Sequence, residues 1–364
     1  PEMVGTLTES YRTIAIAGAH GKSTTTALAA LTLIKGGLDP TVIIGTRLKE
    51  FKDNNFRAGH GSFLVLEADE YGRAFLNYRP LVAIIANIDA EHLDTYGTLA
   101  NVKRAFLKFA GHIQTGGTLI ANRDDKNTAS IAPKLKIIAK KNNFRLTWYS
   151  QKDPATRRIR AALSIPGAHN VSNALAIWHL GRLFKIPERS ILTALREYQG
   201  AWRRMEYRGR RGPMPVYDDY AHHPTEIKAT LQAFREKFPR HRLLCVFEPH
   251  QAERLKRLFK DFGKSFDIAD EVIIVPTYRV AGRDQDHPRW NAEALAKAVQ
   301  KRRPDEPVLY LADRRDLSSA IDSLADAFPK KPRVIIMTGA GTIVDETPRI
   351  LTETATPIPS QNRT

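Results

Sequence analysis

The residues best suited to chemistry stand near the start of the chain, in Arg12-Thr-Ile-Ala-Ile-Ala-Gly-Ala-His-Gly-Lys-Ser-Thr-Thr-Thr26. A short apolar run meets a Gly-bounded turn ending in Lys-Ser, and a helical pattern follows. The backbone N–H groups of Gly18 to Ser23, with His20, Gly21 and Thr24 in the same turn and the positive end of the helix behind it, can surround phosphate oxygens. Lys22 adds a point charge, and the Ser23 hydroxyl can ligate Mg²⁺. The strict G-x-x-x-x-G-K-[ST] pattern is not met, because Ile16 stands where its first Gly belongs. A Gly-Lys turn between surface elements is the plainer alternative, and the strand before and helix after argue against it.

Two further apolar runs end in metal-ligand types. Ser62-Phe-Leu-Val-Leu66 leads into Glu67-Ala-Asp-Glu70, and Leu81-Val-Ala-Ile-Ile-Ala86 leads into Asn87-Ile-Asp-Ala-Glu-His92. Open parallel sheets bind ligands beyond the carboxyl ends of their strands, so Ser23, Glu67 and His92 can converge there on a Mg²⁺-nucleotide. Singly, each has a plainer role: Glu67 and Asp69 in a first helical turn, His92 as a local cap. In Ile165-Pro-Gly-Ala-His-Asn-Val-Ser-Asn-Ala-Leu-Ala-Ile-Trp178, Asn170 and Asn173 open an amphipathic helix on one face, and two amides suit the mixed donor and acceptor edge of adenine. The competing role for Asn170 is an N-cap.

These residues require particular elements around them. The cradle needs a strand before it and a helix after it; Ala27, Leu28, Leu31 and Ile34 recur at helical spacing, Gly36-Gly37 stops the helix, and Thr41 to Gly45 is the next strand. Residues 1–11 carry no strong pattern, and 46–61 read as a polar loop. A helix over 101–109, a strand at 118–121 and apolar runs at 136–139 and 144–149 follow. A boundary falls near 198–205, and after a turn-rich 208–215 strands at 216–217, 243–247, 272–275, 308–311 and 334–337 alternate with helices, the clearest over 224–238. Both halves are α/β with open, mostly parallel sheets. Gly339-Ala-Gly341 is a weak dinucleotide-type cue.

Composition narrows the possibilities. A 364-residue chain that is 42% hydrophobic and 26% charged has room for two cored domains. The single cysteine, Cys245, excludes an intrachain disulfide and suits a reducing compartment. With no signal peptide pattern and no apolar run of membrane-spanning length, a cytoplasmic site without a membrane partner is expected. The net charge of +17 raises the question of polyanions, but the basic residues are scattered in short clusters without interleaved aromatics or a zinc pattern, so no specific nucleic-acid partner is expected.

Six ordered motifs carry a family resemblance: Ala17 to Thr26, Glu67-Ala-Asp-Glu-Tyr71, Asn87 to Gly97, Gly167-Ala-His-Asn-Val-Ser-Asn-Ala174, Arg203-Arg-Met-Glu206 and Asp218-Asp-Tyr-Ala-His-His-Pro-Thr-Glu226. Together they resemble the ATP-dependent Mur ligases of peptidoglycan synthesis, the alanine-adding branch above all. The resemblance implies a central P-loop-type ATPase domain over 1–203 with a mostly parallel sheet, a C-terminal Rossmann-like α/β domain over 204–351, and a flexible tail over 352–364. It implies ATP and Mg²⁺, with UDP-N-acetylmuramate and L-alanine as substrates joined through an acyl phosphate. Lys22 would hold the β- and γ-phosphates, Ser23 and Glu67 one Mg²⁺, and His92 a second. Asn170 and Asn173 would read adenine, Arg204 would reach the phosphates, and Asp219 would contact the nucleotide. Tyr220, His250 and Arg254 would form the amino-acid pocket, with Arg254 on the carboxylate. Many relatives have an Arg or small hydroxyl residue and then an aromatic after that His, where this chain has Gln251 and Ala252, so glycine or serine stays open beside L-alanine. The UDP-sugar-binding domain of about a hundred residues that usually opens these ligases is not among the 364 residues. That leaves open a different carboxylate acceptor, or a nucleotide-binding regulatory module.

Overall fold

The computed structural model describes residues 1–280, 287–329 and 331–352. The chain divides into two compact units, Pro1–Trp202 and Arg203–Thr364. The last described helix, Thr347–Thr352, includes the first residue of the expected tail, and the rest of that tail lies outside the described residues. Among the described residues no helix is long and apolar enough to cross a membrane.

The strands of the first unit are β1 (Arg12–Ala17), β2 (Thr41–Leu48), β3 (Asn54–Arg57), β4 (Phe63–Glu67), β5 (Val82–Ile85), β6 (Thr118–Asn122) and β7 (Arg145–Tyr149). They form one seven-stranded sheet in the order β3-β2-β4-β1-β5-β6-β7. Every pairing is parallel except β2 with β3. The two-residue period of a strand divides β1 between two cores: Ile14 and Ile16 enter one, Ala15 and Ala17 the other. The first core lies under helices Lys22–Lys35, Ala168–Leu183 and Glu188–Glu197. Because β4 and β1 are neighbours and β5 flanks β1 on the other side, the loops after these three strands emerge together.

Three local expectations change. Residues Glu2–Ser10 form a helix that its sequence signals poorly, since Gly5 and two threonines weaken it. Tertiary contact holds it: a Cβ on Gly5 would sit 2.8 Å from the Asn77 carbonyl, and the buried Thr8 hydroxyl accepts from Arg79 N–H (2.9 Å). The polar stretch 46–61 contains the end of β2, a 3₁₀ turn at Lys49–Phe51 and the edge strand β3, because β2 buries only alternate residues there and β3, nearly all exposed, is held by backbone pairing with β2. Helix Ala168–Leu183 is buried on nearly all sides rather than amphipathic, since it packs against both neighbouring helices as well as β6 and β7.

The second unit contains β8 (Glu206–Arg211), β9 (Met214–Asp219), β10 (Arg242–Phe247), β11 (Glu271–Ile274), β12 (Val308–Tyr310) and β13 (Arg333–Thr338). Their order is β12-β11-β10-β13-β9-β8, all parallel except β8, which pairs antiparallel with β9 across the stretch expected to be turns. Leu243, Cys245 and Phe247 of β10 face one core, Leu244 and Val246 the other. Helix Pro224–Lys237 begins with a capping box between His223 and Glu226.

Candidate functional site

In the first unit the chain leaves β1 through Gly18 (φ +152) and enters helix Lys22–Lys35 through Gly21, whose φ of +78 is left-handed. Gly21 is required twice over: a side chain would be strained at that φ, and its Cβ would lie 2.8 Å from Asn173 Oδ1. The Ala19 and His20 N–H groups do not point into a cradle. Ala19 N–H donates to the Asn87 carbonyl (3.2 Å) and His20 N–H to Asn87 Oδ1 (2.8 Å), while Asn87 Nδ2 donates back to the His20 carbonyl (2.8 Å). The anion-binding arc is therefore narrower than Gly18 to Ser23, and rests on the N–H groups at the helix start, which have no intrahelical acceptor. The His20 ring lies 3.0 Å from Asp89 Oδ2.

Charge is arranged behind this arc. Lys22 Nζ donates to the Gly18 carbonyl (2.9 Å) and pairs with Glu70 (2.8 Å) and Asp69 (3.4 Å). Burial opposes the Lys22 charge, but Glu70, Asp69 and Glu67 outweigh it and hold the ammonium above the ordinary lysine range. Ser23 Oγ donates to Glu67 Oε1 (3.0 Å), and the other oxygen of that carboxylate accepts from Gly45 N–H at 2.8 Å. His92 Nε2 lies 3.7 Å from Glu70 Oε1. Glu70 is 1% exposed, and Oε1 has no hydrogen-bond partner. The ligand atoms of Asp69, Glu70 and His92 lie within 4.8 Å of one another. Tyr96 steadies the group by donating its hydroxyl to the Glu70 carbonyl (2.6 Å).

Ser23 and Glu67 thus meet, while His92 meets Glu70 and Asp69. Asn170 is not an N-cap: Gly167 holds that position, and Asn170 Nδ2 donates to the Pro166 carbonyl (2.6 Å). Asn170 and Asn173 are both buried, and Asn173 abuts the cradle glycine. Thr24 is buried in the first helical turn. Glu70 and Asn87 stand in recognised motifs but their roles were not legible. The available signal was a third carboxylate after β4 and an amide at the end of β5.

In the second unit Arg203 and Arg204 place their guanidinium groups 4.9 and 5.1 Å from the centre of the Tyr220 ring. Arg204 also lies 4.0 Å from Glu226. Asp219 accepts from Met205 N–H (2.9 Å), Ala221 N–H (2.9 Å) and the Thr230 hydroxyl (3.0 Å). His250 stacks on Tyr278 at 5.2 Å with the rings 9° apart, and its Nδ1 is 3.2 Å from Arg254 Nη1. The His222 ring lies between this pair and Tyr220, 5.8 Å from His250 and 5.3 Å from Tyr220.

A buried strand, a glycine turn and a helix start backed by a lysine make a corner that can take an anion, an arrangement found in mononucleotide-binding α/β units. Residues 16–180 match the model of the Mur ligase middle domain, and residues 203–341 that of the Mur ligase glutamate ligase domain. A UDP-N-acetylmuramate--L-alanine ligase of Geobacter sp. (strain M21) is 37% identical over 94% of this chain and 76% of its own length. The enzyme so named in Clostridium perfringens is 36% identical over 82% and 68%. In fold, the chain superposes on the UDP-N-acetylmuramate-alanine ligase of Thermotoga maritima with a TM-score of 0.72, 24% identity and coverage of 95% and 76%. The chain belongs to the Mur ligase family, whose members form their products at the expense of ATP.

Proposed function

We propose that the protein joins L-alanine to the carboxylate of UDP-N-acetylmuramate, in the synthesis of a peptidoglycan precursor. The observation that supports the nucleotide end of this reading is the grouping of Lys22, Ser23 and Glu67 at the start of one helix. A carboxylate oxygen of the sugar attacks the γ-phosphorus of ATP and ADP leaves, giving an acyl phosphate. The alanine amine then attacks the acyl carbon, phosphate departs, and the nitrogen loses a proton to give the amide. Both halves are matters of alignment and charge neutralisation.

In this scheme Lys22 exchanges its carboxylate partners for the β- and γ-phosphate oxygens, and the N–H groups from Gly21 to Thr24 take the remaining oxygens. His20, oriented by Asp89, sits on the turn beside them. The hard oxygens of Ser23 and Glu67, 3.0 Å apart, fit Mg²⁺, and the orphaned Glu70 Oε1 beside His92 fits a second cation. Bound there, such ions would neutralise phosphate charge. Asn170 and Asn173 are assigned to the adenine side, with Asn173 also closing on Gly21. Arg204 is the proposed cation for the transferred phosphate. The three donors on Asp219 suit it to shaping the loop that presents Arg204 and Tyr220. Tyr220, His250 and Arg254 are assigned to the amino acid, the Arg254 guanidinium to its carboxylate.

The test is phosphate release from ATP in the presence of UDP-N-acetylmuramate and a panel of L-alanine, glycine and L-serine. Release should require both acceptors, with the highest kcat/KM for L-alanine. A higher value for glycine or serine would reassign the amino acid, and release independent of the sugar nucleotide would reject the acceptor.

A further inference from the structure

The motif Gly339-Ala-Gly341 resembles a phosphate-binding turn in sequence, yet it is filled by protein. A Cβ on Gly341 would collide with Glu248 Oε2 and fall 2.5 Å from Tyr278 Cγ. Gly341 is thus the point where the loops after β13, β10 and β11 press together. The carboxylate there is unusual. Glu248 follows β10, the strand between β11 and β13, and is 0% exposed. Its Oε1 pairs with Arg314 Nη2 and accepts from the Thr342 hydroxyl at 3.3 Å. Its Oε2 accepts from Ile343 N–H at 3.1 Å. Arg314, from the loop after β12, also donates to Thr342 Oγ1 at 2.7 Å, and its own carbonyl accepts from Arg349 at 2.5 Å.

We infer that Glu248 is a positioning residue for amino-acid recognition, its carboxylate gathering the loops after β10, β12 and β13 so that His250 and Arg254 are held in one arrangement. This rests on the assignment of His250 and Arg254 to the amino acid. The path is short. Glu248 bonds Thr342 and Ile343 just after Gly341, and Tyr278 packs against Gly341 itself; Tyr278 N–H donates to the Pro249 carbonyl (2.8 Å), and Gln251 N–H to the Tyr278 carbonyl (3.0 Å). Those bonds fix the segment on either side of His250, whose ring lies flat on Tyr278 and beside Arg254. A buried carboxylate with a single arginine partner is a costly way to hold loops together, and apolar packing of the same volume often serves stability as well. What the carboxylate adds is direction: two oxygens with defined acceptor geometry place three loops relative to one another.

The experiment is steady-state ligation with ATP and UDP-N-acetylmuramate fixed at saturation and L-alanine varied, repeated with ATP varied. Glu248→Gln keeps the shape and removes the charge. Its KM for L-alanine should rise about tenfold while its KM for ATP stays within about twofold. Gly341→Ala, which leaves every charge in place, should give the same split. Should Glu248→Gln fail to fold in a thermal melt, Gly341→Ala and Tyr278→Ala carry the test. Unchanged KM for L-alanine in the folded variants overturns the inference, and so does a parallel rise in both KM values, the mark of general loosening. Arg254→Ala separates the two levels. If it raises the L-alanine KM and Glu248→Gln does not, the positioning role alone fails. If it leaves that KM unchanged, the pocket assignment fails and the inference with it.

Discussion

The two units solve the same problem differently. In the first, a single run of eight residues from Ala17 to Thr24 supplies a turn, a helix start, a lysine and a hydroxyl, and the rest of the chain contributes mainly Glu67, Asp69, Glu70 and Asn87 from the adjacent strand ends. In the second, no contiguous run does the work. Tyr220, His250, Arg254 and Tyr278 come from the segments after β9, β10 and β11, and the buried Glu248, with Arg314 from the loop after β12, ties the segment after β10 to the turn after β13. A site made by backbone conformation is local and robust to its surroundings. One made by side chains across loops depends on each strand end lying where it does.

Substitutions in each unit test that contrast. The largest effect is expected for Lys22→Ala, which removes the one lysine of the contiguous run: ATP-dependent phosphate release should fall roughly 10³-fold or more, with the fold retained in a thermal melt. Retained turnover would mean the first unit does not rely on its local motif. Arg254→Ala should raise the KM for L-alanine by about 10- to 100-fold, the worth of a charge-assisted contact, with ATP binding unchanged by calorimetry.

Gly21→Ala tests backbone geometry itself. The left-handed φ costs roughly 1–2 kcal/mol, and the new methyl group meets Asn173, so ATP should bind about tenfold more weakly. Asn173→Ala alone gives the loss from its assigned adenine contact, and adding Gly21→Ala to it should cost less than in the native chain, leaving only the backbone strain. No further loss on adding Gly21→Ala would show that the first site, too, is governed by tertiary packing.

The smallest effect concerns Asp218, a cost of the second unit's assembled design. Burial pushes its carboxyl up to about 6, against the Thr347 hydroxyl and Arg208, which favour the charged form. A folded pKa above the unfolded one means this carboxyl favours the fold when protonated, near pH 4, and loses that contribution as pH rises through about 6. Asp218→Asn should therefore stabilise the protein at pH 7.5 by on the order of 2 kcal/mol, with the gain vanishing toward pH 4. Chemical denaturation at the two pH values measures it, and equal gains at both would assign the effect to something other than titration.

Legibility followed the same division. Strands β1, β4, β5, β10, β11 and β13 could be read because a strand buried on both faces is a continuous apolar run, and the cradle because Gly, Lys and Ser are adjacent. The helix Glu2–Ser10 and the edge strands β3 and β8 could not, since one-sided or weakly apolar segments take their structure from what they pack against. The amphipathic expectation for Ala168–Leu183 failed for a related reason: its small and polar residues, including Asn173 against Gly21, are buried by close approach rather than by hydrophobicity.

The order of residues alone was enough for the strand, glycine turn and helix at the start of the chain, the two mostly parallel α/β sheets and the motifs that place the chain among the Mur ligases, because short-range geometry and burial periodicity are written in neighbouring residues. It could not say that Asn87 takes two N–H groups out of the cradle, that Glu70 rather than Glu67 holds Lys22, or that Gly341 packs against Glu248 and Tyr278 instead of a phosphate. Those choices belong to the tertiary structure, because each is a contact between strand ends whose adjacency is set by sheet order and not by distance along the chain.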